Sequence, residues 1–120
     1  DWGATCEETD EIIAYLIEER YIDNQRYANS YAKDKFRFNH WGKYKISMML
    51  RSKNIESEFI EEALNQIYNE EYLEKLQQIL RDKLRSLKYS SEYEKKGKLF
   101  KFAQSRGFES GAISKVIDSI

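Results

Sequence analysis

Apolar residues recur at helical spacing in seven segments, and no stretch alternates apolar and polar residues over enough positions to indicate a strand. The segments span about 8–20, 24–37, 43–53, 56–69, 71–88, 91–107 and 109–120. Between its five glycines the chain is rich in Glu, Lys, Leu, Ile and Gln, which are good helix formers, and it has no proline. The pattern therefore predicts an all-α protein.

Several polar residues indicate where these helices begin and end. Two pairs have the spacing of a capping box, in which each residue satisfies a free amide of the other: Thr5 with Glu8, and Ser91 with Glu94. The pattern breaks at 21–23, so Asp23 is expected to be the N-cap of the second helix. Asn54 lies where a helix is expected to end in a left-handed residue.

The core pattern of residues 46–67 recurs 53 positions later in the chain. Ile46, Met49, Leu50, Asn54, Ile55, Ile60, Ala63, Leu64 and Ile67 correspond to Leu99, Phe102, Ala103, Gly107, Phe108, Ile113, Val116, Ile117 and Ile120. This agreement predicts tandem three-helix repeats stacked into an elongated, curved array. We assign 23–70 to a second repeat, 71–120 to a third and 1–22 to the last helix of a first repeat. Together with the start at Asp1, this assignment predicts that the chain is a fragment.

The net charge of −1 conceals alternating acidic and basic blocks. Residues 1–32 carry eight acids and two bases, and 33–53 carry seven bases and one acid. Residues 54–74 carry seven glutamates and no Lys or Arg, whereas 75–106 carry ten bases and three acids. Such segregation indicates a directed electrostatic field, although the glutamate block alone is typical of a solvated helix face.

Basic residues at equivalent places in the two repeats form the candidate binding site for a polyanion. They are Arg37, Lys43, Lys45, Arg51 and Lys53 in the second repeat, and Lys95, Lys96, Lys98, Lys101 and Arg106 in the third. A single lysine-rich run more often serves only to keep a helix surface soluble. The recurrence of the run in both repeats favours binding.

Aromatic residues allow two interpretations. Phe38 and Trp41 lie between basic residues and could stack on nucleic-acid bases, but aromatic residues near a helix end more often pack, and we favour packing. The only histidine, His40, could contact a phosphate or sense pH, although an isolated histidine is more often an ordinary surface residue. A one-sided stripe is expected in the core: Tyr27, Ala28, Tyr31 and Ala32.

Catalytic, cofactor and metal sites are not indicated. The lone Cys6 excludes an internal disulfide and fits a reducing cytoplasm. There is no His/Cys cluster with metal-ligand spacing and no glycine-rich phosphate loop. Neighbouring carboxylates such as Glu61 and Glu62 do not form a convergent acid–base pair. No apolar run reaches the length of a membrane span. We expect a cytoplasmic monomer that is not an enzyme.

Three segments resemble the RecX regulatory family in order and spacing. They are YIDNQRYA at 21–28, RFNHWGKYKI at 37–46 and LRSKNI at 50–55, and the later RGF at 106–108 resembles the end of the family's last repeat. The family patterns are Y-[IL]-D-D-x-R-[FY]-A, R-x-G-x-x-[KR]-I and L-x-x-K-G-I. Asn24 and Asn54 depart from them, as does the pair Trp41–Gly42. The resemblance covers roughly 21–120.

The resemblance implies a regulator of the RecA recombinase with no enzymatic activity of its own. Family members bind within the helical groove of the RecA–DNA filament and restrain strand exchange, ATPase and coprotease activities in recombination, repair and the SOS response. RecA and DNA, single-stranded or duplex within the filament, are then the expected partners. Two alternatives stay open at this point: a direct DNA-binding helical module, and a helical-repeat adaptor for another protein.

Overall fold

The computed structural model describes the backbone of residues 6–120 and the side chains from residue 11 onward. All regular structure in this part of the chain is helical: α1 (Cys6–Arg37), α2 (Lys43–Ser52), α3 (Ser57–Asn65), α4 (Asn69–Ser86), α5 (Glu92–Ser105) and α6 (Ser110–Ile117). The molecule extends 79 × 23 × 21 Å, with a Cα radius of gyration of 20.6 Å. The predictions of an all-α fold and an elongated shape are confirmed.

Helix α1 is one helix of 32 residues where the sequence pattern predicted two. The expected break at 21–23 is wrong, and Asp23 is an interior residue instead of an N-cap. No glycine or proline occurs between residues 6 and 37, so nothing interrupts the backbone hydrogen bonds of the helix. The proposed capping box of Thr5 and Glu8 lies outside the described residues.

The core side of α1 is confined to its C-terminal half. Ala28, Ala32 and Phe36 are at most 1% exposed. Tyr27, expected in the core, is 45% exposed, because the buried stripe passes through the small alanines that let α1 approach α3. Four apolar residues in the N-terminal half of α1 are 49–65% exposed: Ile12, Ile13, Leu16 and Ile17.

The two sets of three helices pack in the same way. The C-terminal half of α1 packs on α2 and α3, which also contact each other, and α4 packs on α5 and α6, which contact each other as well. The buried residues include Ile46, Leu50, Ile60 and Ala63 in one set and Leu99, Ala103, Ile113, Val116 and Ile117 in the other. The prediction of tandem three-helix repeats is confirmed.

The middle helix of each set ends in a left-handed residue at equivalent positions. The φ angle is 64° at Asn54 and 89° at Gly107, so the prediction for Asn54 is confirmed. At the start of α5, the Ser91 hydroxyl accepts a hydrogen bond from the Glu94 amide at 3.2 Å. The Glu94 carboxylate accepts from the amide and hydroxyl of Ser90, so only half of the predicted capping box forms with Ser91.

The N-terminus of α2 is capped by the other repeat. Its N-cap residue, Gly42, has no side chain to accept from the first-turn amides, which would otherwise lack partners. The amide of Lys43 donates to the Tyr72 hydroxyl at 2.9 Å, and that of Tyr44 donates to the Gly107 carbonyl at 2.9 Å. The Gly42 amide donates to the Arg106 carbonyl at 2.7 Å. Backbone hydrogen bonds thus fix the two repeats to each other.

A column of three aromatic rings fills the junction between the repeats. The ring centroid of Tyr72 lies 5.6 Å from that of Phe36 and 5.2 Å from that of Phe108, and each residue is at most 3% exposed. The Tyr72 hydroxyl donates to a Glu109 carboxylate oxygen at 2.5 Å. Burial raises the pKa of Tyr72, and the hydrogen bond to Glu109 raises this pKa further, so the hydroxyl keeps its proton.

Candidate polyanion-binding surface

The ten basic residues chosen from the sequence occupy two kinds of environment. Four have a carboxylate partner: Arg37 with Glu71 (3.6 Å), Lys95 with Glu92 (3.5 Å), Lys96 with Asp118 (3.0 Å) and Lys98 with Glu94 (2.9 Å). The others have no carboxylate oxygen within 4.0 Å among residues 11–120: Lys43, Lys45, Arg51, Lys53, Lys101 and Arg106. Their positive charge is not locally compensated.

Lys95 does not lie on an exposed basic face. Lys95 is only 9% exposed. Its ammonium group pairs with Glu92 and also donates a hydrogen bond to the Ile120 carbonyl at 3.2 Å. A lysine that is nearly buried is normally paired in this way, because an isolated ammonium is costly to remove from water. Lys95 therefore ties α5 to the segment after α6, a role that the charge pattern did not reveal.

Aromatic rings hold most of the uncompensated cations. The ammonium groups of Lys43 and Lys45 lie 4.8 Å and 4.6 Å from the ring centroids of Tyr72 and Trp41. The guanidinium carbon of Arg106 lies 5.3 Å from the centroid of Phe102. Such a contact contributes about 0.5–1 kcal/mol at an exposed site and leaves the cation its full charge. These side chains are therefore positioned without being neutralised.

Five residues on α1, the loop after it, α2 and the C-cap of α2 form a cluster, which we call the Tyr31–Trp41 cluster. Its aromatic centre is the edge-to-face pair of Tyr31 and Trp41, with centroids 6.4 Å apart. Three ammonium groups lie around this pair. That of Lys35 is 5.4 Å from the Tyr31 centroid and 5.0 Å from the Trp41 centroid. That of Lys45 is 4.6 Å from the Trp41 centroid, and that of Lys53 is 5.8 Å from the Tyr31 centroid. Burial raises the pKa of Tyr31, so its hydroxyl adds no negative charge.

The structure changes three assignments made from the sequence, two of them within this cluster. Lys35 was missed, although its position one helical turn after Tyr31 could have indicated contact with that ring. Trp41 packs against the core, as expected, but it also contacts two lysines. Phe38 is 77% exposed, so the packing interpretation was wrong for this residue.

The described part of the chain offers little for other chemistry. No group of three or more His, Cys, Asp or Glu side chains among its residues could hold a metal ion. In the same part of the chain, no helix is long and apolar enough to cross a membrane.

Two family models match successive parts of the chain. One describes the second three-helix domain of RecX and matches residues 23–64, and the other describes the third three-helix domain of RecX and matches residues 70–117. The first match covers the C-terminal part of α1 with α2 and nearly all of α3, and the second covers α5, α6 and nearly all of α4.

Curated relatives carry the same family name. The chain is 28% identical to the regulatory protein RecX of Oceanobacillus iheyensis over 110 residues, which are 92% of this chain and 40% of the relative. It is 32% identical to that of Clostridium botulinum over 107 residues, 88% of this chain and 50% of the relative. The chain thus spans half or less of the length of these two relatives.

Solved structures share the fold. The crystal structure of RecX from Lactobacillus salivarius matches with a TM-score of 0.79 and 23% identity, covering 98% of this chain and 76% of the other. A second crystal structure, of regulatory protein RecX, matches with a TM-score of 0.74 and 24% identity, covering 97% of this chain and 58% of the other.

Proposed function

Since the chain belongs to the RecX family of regulatory proteins, we propose that it binds the filament of the RecA recombinase on DNA and inhibits its activities. Those activities are strand exchange, ATP hydrolysis and coprotease function. The protein acts as a binding regulator and not as an enzyme. Because RecA and the chromosome are cytoplasmic, this role assigns the protein to the cytoplasm.

The observation that supports this proposal best is the set of cations held over aromatic rings without a carboxylate partner. Lys45 and Lys53 in the Tyr31–Trp41 cluster and Arg106 in the next repeat have this arrangement. A DNA filament is a polyanion, and each phosphate that a cation neutralises releases condensed counterions. Cations already positioned by rings lose less conformational freedom when they bind than free lysine side chains do.

The shape of the molecule agrees with a partner that is long and regular. The array is 79 Å long and about a third as wide, and the hydrogen bonds of Gly42 and Tyr44 to the third repeat hold its two repeats at a fixed spacing. A rigid array with cations in both of its repeats can contact more than one phosphate of the same filament. Binding within the helical groove of the filament, which the family resemblance implies, also requires an elongated molecule.

The proposal is tested by measuring ATP hydrolysis by RecA on circular single-stranded DNA while the chain is titrated into preformed filaments. We expect inhibition that saturates, and that needs more protein as the salt concentration increases. A matched titration with duplex DNA and no RecA reports binding to naked DNA. Unchanged ATP hydrolysis over a wide concentration range would contradict the proposal, and tight naked-DNA binding with unchanged hydrolysis would favour a direct DNA-binding module.

A further inference from the structure

A groove of about 310 Å³ lies where the loop after α1 meets the third repeat. The loop contributes His40 to its wall. The remaining lining residues come from α4 and from the end of α5: Lys75, Gln78, Ile79, Asp82, Lys83, Phe102 and Arg106. Because both repeats contribute to it, the groove exists only when they are held together by the junction at Gly42 and Gly107.

The groove carries an excess of positive charge. Lys75, Lys83 and Arg106 have no carboxylate within 4.0 Å among the described side chains. Its single acid, Asp82, has its carboxylate 3.6 Å from the Arg85 guanidinium. Three cations therefore face one carboxylate that is itself paired. This balance favours an anionic ligand.

Phe102 positions two of these cations. The Lys83 ammonium lies 5.0 Å and the Arg106 guanidinium carbon 5.3 Å from the centroid of its ring. Phe102 and Ile79 are both half-buried and supply an apolar wall beside the charges. A ligand that matches this lining has an anionic group next to a flat apolar group.

His40 lies within the influence of the same charges. It has a left-handed backbone with φ of 58°, in the loop between α1 and α2. Partial burial lowers its pKa below the ordinary 6.5, and the positive charges of Lys75 and Arg106 lower this pKa further, whereas Asp82 opposes the change. The imidazole of His40 thus favours its neutral form, because the cations Lys75 of α4 and Arg106 at the C-cap of α5 lie near it.

We propose that this groove binds a nucleotide unit of single-stranded DNA, with the phosphodiester at Lys83 and Arg106 and the sugar and base against Ile79 and Phe102. A purely acidic peptide such as polyglutamate would satisfy the cations but would leave the apolar wall without a partner. A base of single-stranded DNA is unpaired and free to take that place. This inference rests on the proposed function, because the single-stranded DNA in question is the DNA within the RecA filament.

The proposal has a consequence for His40. A phosphodiester keeps one negative charge throughout the neutral range, so its arrival offsets the cations that disfavour the imidazolium form. His40 then takes up a proton more readily in the complex than in the free protein, and by linkage DNA binds more tightly as the pH falls.

The test uses a fluorescein-labelled thymidylate 15-mer and measures its binding by anisotropy at several salt concentrations. We compare Lys83→Gln/Arg106→Gln with Arg81→Gln/Lys115→Gln, which removes the same charge at exposed positions outside the groove. The groove pair should weaken binding about tenfold or more and reduce the salt slope by about 1.4, and the control pair should weaken binding less than about threefold. Circular dichroism verifies that both variants are folded.

A second readout uses the fact that His40 is the only histidine of the chain. Its imidazole proton resonance, followed against pH by NMR in a sample without a histidine tag, should titrate at higher pH when the thymidylate is bound. Equal binding by the groove pair and the control pair, or an unchanged His40 titration, would overturn the proposal. Displacement of the thymidylate by polyglutamate at equal charge concentration would also overturn it, because the apolar wall would then contribute nothing.

The groove proposal and the proposed function can fail independently of each other. If the chain inhibits RecA but the groove pair binds thymidylate normally, the groove proposal fails and the regulator stands. If the groove pair loses thymidylate binding but the unmodified chain leaves RecA unaffected, the groove proposal stands and the regulator fails.

Discussion

Gly42 and Gly107 approach each other so closely that a Cβ atom on Gly42 would lie 2.3 Å from the Gly107 carbonyl oxygen. A Cβ atom on Gly107 would lie 2.2 Å from the Cβ of Lys45. This contact brings the end of the loop after α1 against the turn between α5 and α6. The backbone hydrogen bonds from Gly42 and Tyr44 depend on it. Two residues without side chains therefore set how closely the two repeats approach each other.

Replacing Gly107 by alanine should destabilise the protein by about 3 kcal/mol or more, because the new side chain meets Lys45 and must also adopt a φ of 89°. Chemical denaturation measures the change in the free energy of unfolding. Gly97→Ala is the matched control, since Gly97 is inside α5 and a Cβ there meets nothing within 4 Å. It should stabilise the protein by about 0.5–1 kcal/mol, and a similar loss in both variants would contradict the argument.

Gly42→Ala separates the steric effect from the backbone effect. The φ of Gly42 is −78°, which alanine adopts freely, so any loss comes from the contact with Gly107. We expect a loss of about 1–3 kcal/mol and faster hydrogen exchange of the Lys43 and Tyr44 amides, whose partners lie in the other repeat. Slow exchange of both amides in the variant would show that the junction does not depend on close packing here.

Tyr72→Phe should reduce the free energy of unfolding by about 1–3 kcal/mol. The substitution keeps the ring between Phe36 and Phe108 but removes the hydroxyl that accepts from the Lys43 amide and donates to Glu109. The matched control is Tyr93→Phe, because Tyr93 is 91% exposed, and it should change stability by less than about 0.5 kcal/mol. Equal effects of the two substitutions in urea denaturation would refute the bridging role.

Neutralising ring-held cations should weaken filament binding more than neutralising paired cations. Lys45→Gln/Lys53→Gln removes two charges of the Tyr31–Trp41 cluster, whereas Lys96→Gln/Lys98→Gln removes two that have carboxylate partners. We expect about a tenfold loss of affinity for RecA filaments on single-stranded DNA in the first variant and less than about threefold in the second. The net charge is the same in both, so equal losses would show that only total charge matters.

Acid should destabilise the protein through His40. The pKa of His40 in the folded chain is lowered below 6.5. Around and below pH 6.5 the unfolded chain therefore binds more protons than the folded chain, and the free energy of unfolding falls as the pH decreases. His40→Asn removes the titration, and asparagine tolerates the left-handed φ of 58°. Urea denaturation at pH 7.5 and 5.5 should show a smaller loss in the variant. The same loss in both proteins would assign the effect to other groups.

Helical class and the helix end at Asn54 followed from the sequence because each depends on neighbours within a few residues, and the repeat followed because such a local pattern recurs along the chain. The apolar spacing of Ile46 and Leu50 recurs at Leu99 and Ala103, and both sets are buried as expected. Asn54 and Gly107 are left-handed because both end a helix. The same local reasoning failed at Asp23, since a polar residue favoured at caps is also tolerated inside a helix. The assignment of 1–22 to an earlier repeat stays a prediction.

The sequence by itself determined an all-helical repeat protein with basic blocks in both repeats, because helical periodicity and charge are properties of short segments. Only the tertiary structure decided which cations remain uncompensated. Lys98 and Lys45 occupy equivalent sequence positions, yet the first pairs with Glu94 and the second lies over Trp41. The junction of Lys43 with Tyr72 and the groove around His40 join residues distant in sequence. Pairing, burial and ring contacts depend on through-space neighbours, which only the packed repeats specify.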